Sequence, residues 1–263
     1  MQKINILCIG DIIGSPGRAF LNDNLATIKK EHNIHFTVVN VENSAGGFGF
    51  TRKIEAELKA LNINAFTSGN HIFQQKEIMG YFDELNSLVR PLNYPEDVPG
   101  KGYRIFRVND LKIAVVNSIG RVFMGDFDCP FRAIKKVLAD IQKETPIILV
   151  DFHAEATSEK NAFGWFLDGK VSLVYGTHTH VMTADDRILN KGTAYISDVG
   201  MVGPKDGIIG MKKEPIIHKF LTQLPSKFEI PKDQETLFNA IKCSIDTKSG
   251  KAISIEKIII GQN

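Results

Sequence analysis

The sequence predicts an α/β domain in which two mixed β-sheets pack together and helices cover their outer faces. In the first part of the chain, short apolar runs alternate with segments of helical periodicity, as strands and helices do in α/β folds. The last part contains apolar runs paired across turn residues, which are typical of β-hairpins. No linker, internal repeat or low-complexity segment interrupts the 263 residues, so we expect one domain over residues 1–263.

The first three predicted strands are each followed by a predicted helix. The strand "INILCIG" leads into a helix with Ser15 as its expected N-cap and Pro16 in its first position. The strand "HFTVVNVE" precedes the helix "TRKIEAELKALN", which Thr51 is expected to cap. The strand "NAFTSG" precedes "QKEIMGYFDEL", which is also predicted to be a helix. This alternation is the main support for the α/β assignment.

The remaining elements begin with one hairpin and end with two more. The strands "YRIFRV" and "LKIAVVN" are joined by Asn109 and Asp110, a pair of residues typical of a tight turn. A helix from about Pro130, the strand "PIILVDF", the helix "EKNAFGWFLDG" and the strand "VSLVYG" follow. The segments "ADDRILNKGTAYISDVG" and "LFNAIKCSIDTKSGKAISIEKIII" are predicted to be hairpins.

The composition favours a cytoplasmic protein and indicates no surface for a particular class of partner. The net charge is +2 and no basic stripe is visible, so nucleic acid is neither favoured nor excluded as a substrate. Cys8, Cys129 and Cys243 lie far apart and match neither a disulfide framework nor a zinc-finger spacing. We therefore expect a reducing, cytoplasmic location. No apolar run approaches the roughly 18 residues of a membrane span, and none is predicted.

Residue types that bind metals recur where predicted strands end. In open α/β sheets, the carboxyl ends of the strands form the site. The motif "GTHTH" places two histidines two residues apart, and in an extended segment such side chains point the same way. Alone, each motif is equally well explained as a cap, turn or polar loop. Together they predict one site, drawn from Asp11, Glu42, Asn43, Asn70, His71, His153, His178 and His180.

Five motifs in this order make the interpretation specific. They are "GDIIGSPGR", "NVENSAGGFG", "GNHIF", "DFHAEATSEK" and "GTHTHV". The set resembles the calcineurin-like metallophosphoesterase superfamily and, within it, the YmdB-like phosphodiesterase family, over nearly the whole chain. Two departures from the wider superfamily are features of this branch. Ile13 stands where a histidine is usual near the N-terminus, and Glu42 replaces the usual bridging aspartate.

The resemblance implies a centre with two transition-metal ions. Asp11, Glu42 and His180 would hold one ion, and Glu42 would bridge to the second. The second ion would also be held by Asn43, Asn70, His153 and His178. Imidazole and carboxylate ligands suit iron or manganese, with zinc or magnesium as alternatives. Two divalent ions and two carboxylates leave a net positive charge, which suits a phosphodiester and an attacking hydroxide.

The same resemblance implies hydrolysis of cyclic nucleotides, with 2′,3′-cyclic nucleotides as the main class and 3′,5′-cyclic nucleotides as an additional option. Two ions activate a water and hold the phosphoryl oxygens in such sites. His71 adjoins a ligand and is not needed as one, so we assign it as the general acid for the leaving group. Its alternative role is electrostatic. Asp151 and Asp198 are candidates for orienting the ligand histidines.

Two other functions compete with this one. An amidohydrolase-like metal hydrolase would place its H-x-H motif near the first strand of a barrel, whereas here the motif comes late. A metal- or nucleotide-binding regulatory protein with little turnover is the second alternative, and the intact ligand set with His71 argues against it. We further expect a homo-oligomer, with an RNA-related partner as an additional option.

Overall fold

In the computed structural model, residues 2–231 and 235–261 are described, and they form two six-stranded sheets packed face to face. The first sheet is mixed: the four neighbouring strands β10, β1, β2 and β3 are parallel, and β11 and β12 are antiparallel to their neighbours. Its strand order is β12-β11-β10-β1-β2-β3. The strands are β1 (Lys3–Ile12), β2 (Phe36–Asn40), β3 (Ala65–Thr67), β10 (Met201–Pro204), β11 (Thr236–Asp246) and β12 (Ala252–Ile260).

The second sheet is also mixed, since β5, β6, β7 and β9 are parallel and each edge carries an antiparallel strand. Its order is β4-β5-β6-β7-β9-β8. The strands are β4 (Tyr103–Val108), β5 (Leu111–Ile119), β6 (Ile148–His153), β7 (Leu173–Thr177), β8 (Arg187–Ile188) and β9 (Ala194–Ile196). The predicted fold class, two mixed sheets flanked by helices, is confirmed.

Helices cover the outer face of each sheet, and the apolar faces between the sheets form the central core. They are α1 (Gly14–Glu31), α2 (Arg52–Ala60), α3 (Pro130–Glu144), α4 (Thr157–Leu167) and α5 (Lys213–Thr222). Leu25 of α1 belongs to the core of the first sheet, and Phe163 of α4 to that of the second. Ile6 and Leu149 meet in the layer between the sheets. Among the described residues, none of the helices combines the length and apolar character needed to cross a bilayer.

The turn and capping chemistry of the sequence is mostly realised. The hairpin of β4 and β5 forms as predicted, and Asn109 adopts the left-handed φ of 51° that its tight turn requires. Thr51 caps α2, because its hydroxyl accepts a hydrogen bond from the backbone N–H of Ile54 at 3.3 Å. The prediction for Ser15 is wrong: α1 begins at Gly14, one residue before Ser15, and Ile13 occupies the N-cap position.

Two segments differ from the sequence prediction. The predicted helix "QKEIMGYFDEL" is instead a pair of short 3₁₀ turns, Lys76–Gly80 and Phe82–Glu84. A glycine inside so short a helix costs about 1 kcal/mol relative to alanine, which favours short turns at this place. The helix α5 was not predicted, although its apolar residues at 216, 217, 220 and 221 have helical spacing; of these, only Ile216 is buried.

Candidate functional site

The carboxyl ends of five strands, from both sheets, meet at one edge of the sandwich. In the first sheet, β1, β2 and β3 are parallel neighbours, so Asp11, Glu42, Asn43 and Asn70 emerge side by side. In the second sheet, β6 ends at His153, and its parallel neighbour β7 ends just before His178. Ligand atoms of Glu42, His153 and His178 all lie within 4.8 Å of one another.

The Nε2 atom of His153 lies at the centre of this group. It is 3.0 Å from Glu42 Oε1, 3.1 Å from Asn70 Oδ1 and 3.1 Å from His178 Nδ1. His153 and Glu42 are fully enclosed by protein, while Asn70 and His178 are partly exposed. The arrangement brings two oxygens and two nitrogens together around one small volume.

Each of the three predicted ligand histidines has one ring nitrogen occupied outside the centre. The His153 Nδ1 lies 2.9 Å from the Thr177 hydroxyl, which itself donates to Asp151 and therefore accepts from the ring. The other nitrogen of each ring then carries a lone pair that is available to a metal, as in sites where second contacts fix the tautomer. The corresponding contacts of the other two rings are His178 Nε2 to Glu155 at 3.2 Å and His180 Nδ1 to the Ile209 carbonyl at 3.0 Å.

The side chains that offer oxygen ligands are held in a similar way: one atom of each is hydrogen-bonded to the protein, and one oxygen is left without such a bond. Asp11 Oδ2 accepts from the backbone N–H of His178 at 3.1 Å, and Glu42 Oε2 accepts from that of His71 at 3.0 Å. The side-chain nitrogen of Asn43 donates to the Gly47 carbonyl at 2.9 Å. The second oxygen of each carboxylate and the amide oxygen of Asn43 are buried, and no described residue donates a hydrogen bond to them. A buried acceptor left in this state is costly unless a cation binds it.

Protein electrostatics alone disfavour charge at this place. Burial raises the pKa of Asp11 well above its usual range, and the neighbouring Glu42 carboxylate raises it further. Burial also raises the pKa of Glu42. Burial lowers the pKa of His153 well below its usual value and, with the nearby His153, lowers the pKa of His178 to about 3. A divalent cation would stabilise both the carboxylates and the neutral imidazoles, so the donor set fits a metal centre.

The loop carrying the two later histidines has a different conformation from the one predicted. The H-x-H motif predicted an extended segment, but β7 ends at Thr177, and His178 and His180 have φ values of 100° and 64°. Side chains rarely adopt such left-handed conformations, which cost about 1–3 kcal/mol and cluster at functional sites. His178 joins the central group, whereas His180 lies beside it and faces Ile209.

Gly69 shows how closely the backbone approaches the centre. A Cβ built on this residue would overlap both Glu42 Oε2 and His153 Nε2. Any side chain here would displace the ligand atoms, so the glycine of "SGNH" permits the third strand end to reach the site. The same segment continues into Asn70 and His71.

His71 stands at the rim of the centre and is held on three sides. Its backbone N–H donates to Glu42 Oε2, as described above. Its Nδ1 lies 2.7 Å from the side-chain nitrogen of Gln74, and its ring packs edge-on against Phe48 with centroids 4.9 Å apart. Its Nε2 lies 3.2 Å from the side-chain nitrogen of Asn70, so an amide group faces each nitrogen of the ring.

The residues beneath the ligands form a polar network that the sequence revealed only in part. Asp151 accepts hydrogen bonds from Thr67, Thr177 and Asn40, and thereby reaches His153 through Thr177. Burial raises the pKa of Asp151 to about 7 even though these hydrogen bonds lower it. The orienting role suggested for Asp151 is therefore indirect in this geometry.

Asp198 contacts none of the histidine rings among the described residues. It accepts from Lys160 Nζ at 2.6 Å, from the Thr179 N–H at 3.1 Å and from the Gly200 N–H at 2.8 Å. It therefore fixes the loop between the two histidines rather than an imidazole. These roles of Lys160, Thr177 and Glu155 were not predicted, although all three residues lie inside the motifs "DFHAEATSEK" and "GTHTHV".

Comparisons with known proteins find relatives of this chain over nearly its whole length. The family model described as "YmdB-like protein" matches residues 7–258. A Bacillus subtilis protein named 2′,3′-cyclic-nucleotide 2′-phosphodiesterase is 47% identical over 260 residues, covering 99% of this chain and 98% of that protein. A Mycoplasma pneumoniae protein named putative phosphatase/phosphodiesterase is 37% identical over 267 residues, covering 99% and 94%.

Two solved structures share the whole fold. A crystal structure described as a novel phosphatase from Mycoplasma pneumoniae superposes with a TM-score of 0.92 at 36% identity, covering 99% of this chain and 94% of that one. A hypothetical protein from Thermus thermophilus superposes with a TM-score of 0.90 at 36% identity, covering 98% and 99%. By its family model, its relatives and its fold, the chain belongs to the YmdB-like family.

Proposed function

We propose that this protein hydrolyses 2′,3′-cyclic nucleotides, with 3′,5′-cyclic nucleotides as a second substrate class. The chain is a phosphodiesterase, as its relatives' names indicate. The observation that carries the proposal is a set of buried oxygens of Asp11, Glu42 and Asn43 that accept no hydrogen bond from the described residues, next to the group formed by Glu42, His153 and His178. In the reaction, water adds to phosphorus and the bond from phosphorus to O2′ breaks. A nucleoside 3′-phosphate results, and the 2′-oxygen leaves as an alkoxide that needs a proton.

The proposed cofactors are two transition-metal ions, iron or manganese, with zinc or magnesium as alternatives. Asp11, Glu42 and His180 would hold one ion. Glu42, Asn43, Asn70, His153 and His178 would hold the other. When bound, such ions acidify water and neutralise charge on the phosphoryl oxygens.

The protein's own residues supply orientation and proton transfer. Thr177 and Glu155 fix the ring orientations of His153 and His178, so that their free lone pairs point inward. The His71 side chain projects from the rim, next to the carboxylate that would bridge the ions. In the proposed reaction it protonates O2′ as the bond to phosphorus breaks. The predicted homo-oligomer and cytoplasmic location remain predictions from the sequence.

A substrate panel with product identification tests the proposal. Purified protein should convert 2′,3′-cyclic AMP into adenosine 3′-phosphate, which chromatography separates from the 2′-phosphate. It should also hydrolyse bis-p-nitrophenyl phosphate. Binding of cyclic nucleotides without any turnover, in metal-loaded protein, would instead support the regulatory alternative.

A metal-loading experiment tests the proposed number of ions. Metal-free protein titrated with Mn²⁺ or Fe²⁺ should gain activity until two equivalents per chain are bound. Both Asp11 and the group around His153 offer ligand atoms that could bind a metal. Metal content and turnover are measured at each step. Full activity at one equivalent, or in thoroughly metal-free protein, would contradict the two-metal centre.

Glu155 offers a prediction about metal affinity. Its carboxylate contacts His178 Nε2 at 3.2 Å and is half exposed. Glu155→Gln should weaken metal binding by about tenfold, the lower end for contacts that orient a metal ligand. Adding excess metal should restore turnover, since the ligand itself remains. A loss of turnover that excess metal does not restore would contradict the orienting role.

A further inference from the structure

A cavity of about 390 Å³ opens beside His180, next to the candidate metal centre. It lies where β11 and β12 of the first sheet meet the loop that follows His180. Its volume falls within the range of about 300–1,000 Å³ found for small-molecule sites. The side chains that line it are mainly apolar and include Val181, Met182, Met201, Ile209, Leu237 and Ile259.

One polar side chain lines this cavity without a described partner. Asn239 of β11 is only 3% exposed. Ile241 and Cys243, which follow it at alternate positions on the strand, belong to the core between the sheets, so Asn239 faces the same side at the open end. Among residues 2–231 and 235–261, none forms a hydrogen bond with its side-chain amide. An amide enclosed among apolar groups is costly unless a water or ligand binds it.

The backbone beneath this amide leads directly to the metal centre. Gly200 has a φ of 78°, and a Cβ built on it would crowd the Asn239 side-chain nitrogen. The Gly200 carbonyl accepts a hydrogen bond from the Asp11 N–H at 3.1 Å. Gly200 therefore contacts both the Asn239 side chain and the backbone of Asp11, a predicted metal ligand.

The chemistry of the cavity favours a flat, neutral, aromatic ligand. Apolar walls with two methionine sulfurs suit contact with an aromatic ring. Lys257, the cation at this cavity, is paired with Asp186 at 2.7 Å, so it does not favour an additional anion. A planar amide offers one donor and one acceptor side by side, the pattern that pairs with N6 and N7 of adenine.

We propose that this cavity binds the nucleobase of the cyclic-nucleotide substrate and that Asn239 recognises the hydrogen-bonding edge of the base, with adenine as the best match. In a 2′,3′-cyclic nucleotide the base is attached at C1′, adjacent to the C2′ that carries the phosphate. A base site must therefore adjoin the centre that holds the phosphate, as this cavity does through His180. The inference rests on the proposed function and adds its base recognition.

Steady-state kinetics with three cyclic diesters test this assignment. The substrates are 2′,3′-cyclic AMP, the 2′,3′-cyclic phosphate of purine riboside, which lacks the 6-amino group, and the 2,3-cyclic phosphate of methyl riboside, which lacks a base. In the wild type, loss of the amino group should raise KM by about 10-fold or more, the scale of a bidentate amide contact. Asn239→Leu should raise KM for the adenine substrate similarly and leave kcat and the other two substrates nearly unchanged.

Controls separate failure of the base site from failure of the proposed function. Asn22→Leu, at an exposed position, should alter none of the three substrates, and melting temperatures should show that Asn239→Leu remains folded. If Asn239→Leu does not fold, the wild-type preference for the 6-amino group decides the question. Equal KM values for all three diesters in the wild type, or an adenine preference unchanged in Asn239→Leu, would overturn the base site. Wild type that cleaves bis-p-nitrophenyl phosphate but no cyclic diester would overturn the proposed function instead.

Discussion

Glu42→Gln is expected to abolish most phosphodiesterase activity while leaving the fold intact. The substitution keeps the size of the side chain and an oxygen that can accept from the His71 N–H, but it removes the negative charge. An uncharged amide cannot bridge two cations, so at least one ion should be lost. A bound metal contributes several kcal/mol to such reactions, which corresponds to a loss of at least about 10³-fold in kcat/KM.

The matched control is Glu55→Gln. Glu55 is a buried carboxylate of α2 that accepts from Ser87 at 2.8 Å and pairs with Lys59, away from the metal centre. We expect Glu55→Gln to keep its metal content and turnover, with at most a lower melting temperature. Metal analysis and activity are measured on both variants. Retention of two ions and normal turnover by Glu42→Gln would mean that Glu42 is not the bridge.

Strand ends were the most informative feature of the sequence because their consequence is topological. Parallel neighbours in one sheet end at one edge, so Asp11, Glu42 and Asn70 had to emerge together once β1, β2 and β3 paired. The hairpins were equally predictable, since Asn109 supplies the left-handed conformation of a tight turn. The turn follows from a local backbone rule, whereas the shared edge follows from the parallel sheet that alternating strands and helices predict.

Contacts between distant segments were not predictable in the same way. Thr177 reaches His153 across 24 residues, and Asn239 meets the Gly200 backbone across strands that are far apart in the chain. No periodicity marks a hydroxyl or amide for such a role. The left-handed conformation of His178 was also invisible, because only the surrounding packing can hold a non-glycine residue in it.

His71→Ala is expected to slow hydrolysis of 2′,3′-cyclic AMP by about 10²–10⁴-fold, the usual contribution of a general acid. The substitution removes the imidazole but keeps the backbone N–H that donates to Glu42, so both ions should remain bound. The matched control is His218→Ala, which removes an exposed histidine of α5 and should leave turnover unchanged. Metal content is measured beside turnover, since a lost ion would make His71 a ligand and end its assignment as the acid.

The leaving group separates proton donation from electrostatic stabilisation. An alkoxide from a ribose is a strong base and needs a proton as it departs, whereas p-nitrophenolate is stable as an anion. If His71 supplies that proton, His71→Ala should slow hydrolysis of bis-p-nitrophenyl phosphate much less than hydrolysis of the cyclic nucleotide. A protonated imidazole that only stabilised charge on the phosphoryl oxygens would assist both substrates alike, because both carry the same phosphodiester charge. Equal losses on the two substrates would therefore assign His71 to phosphate binding, and unequal losses would assign it to the leaving oxygen.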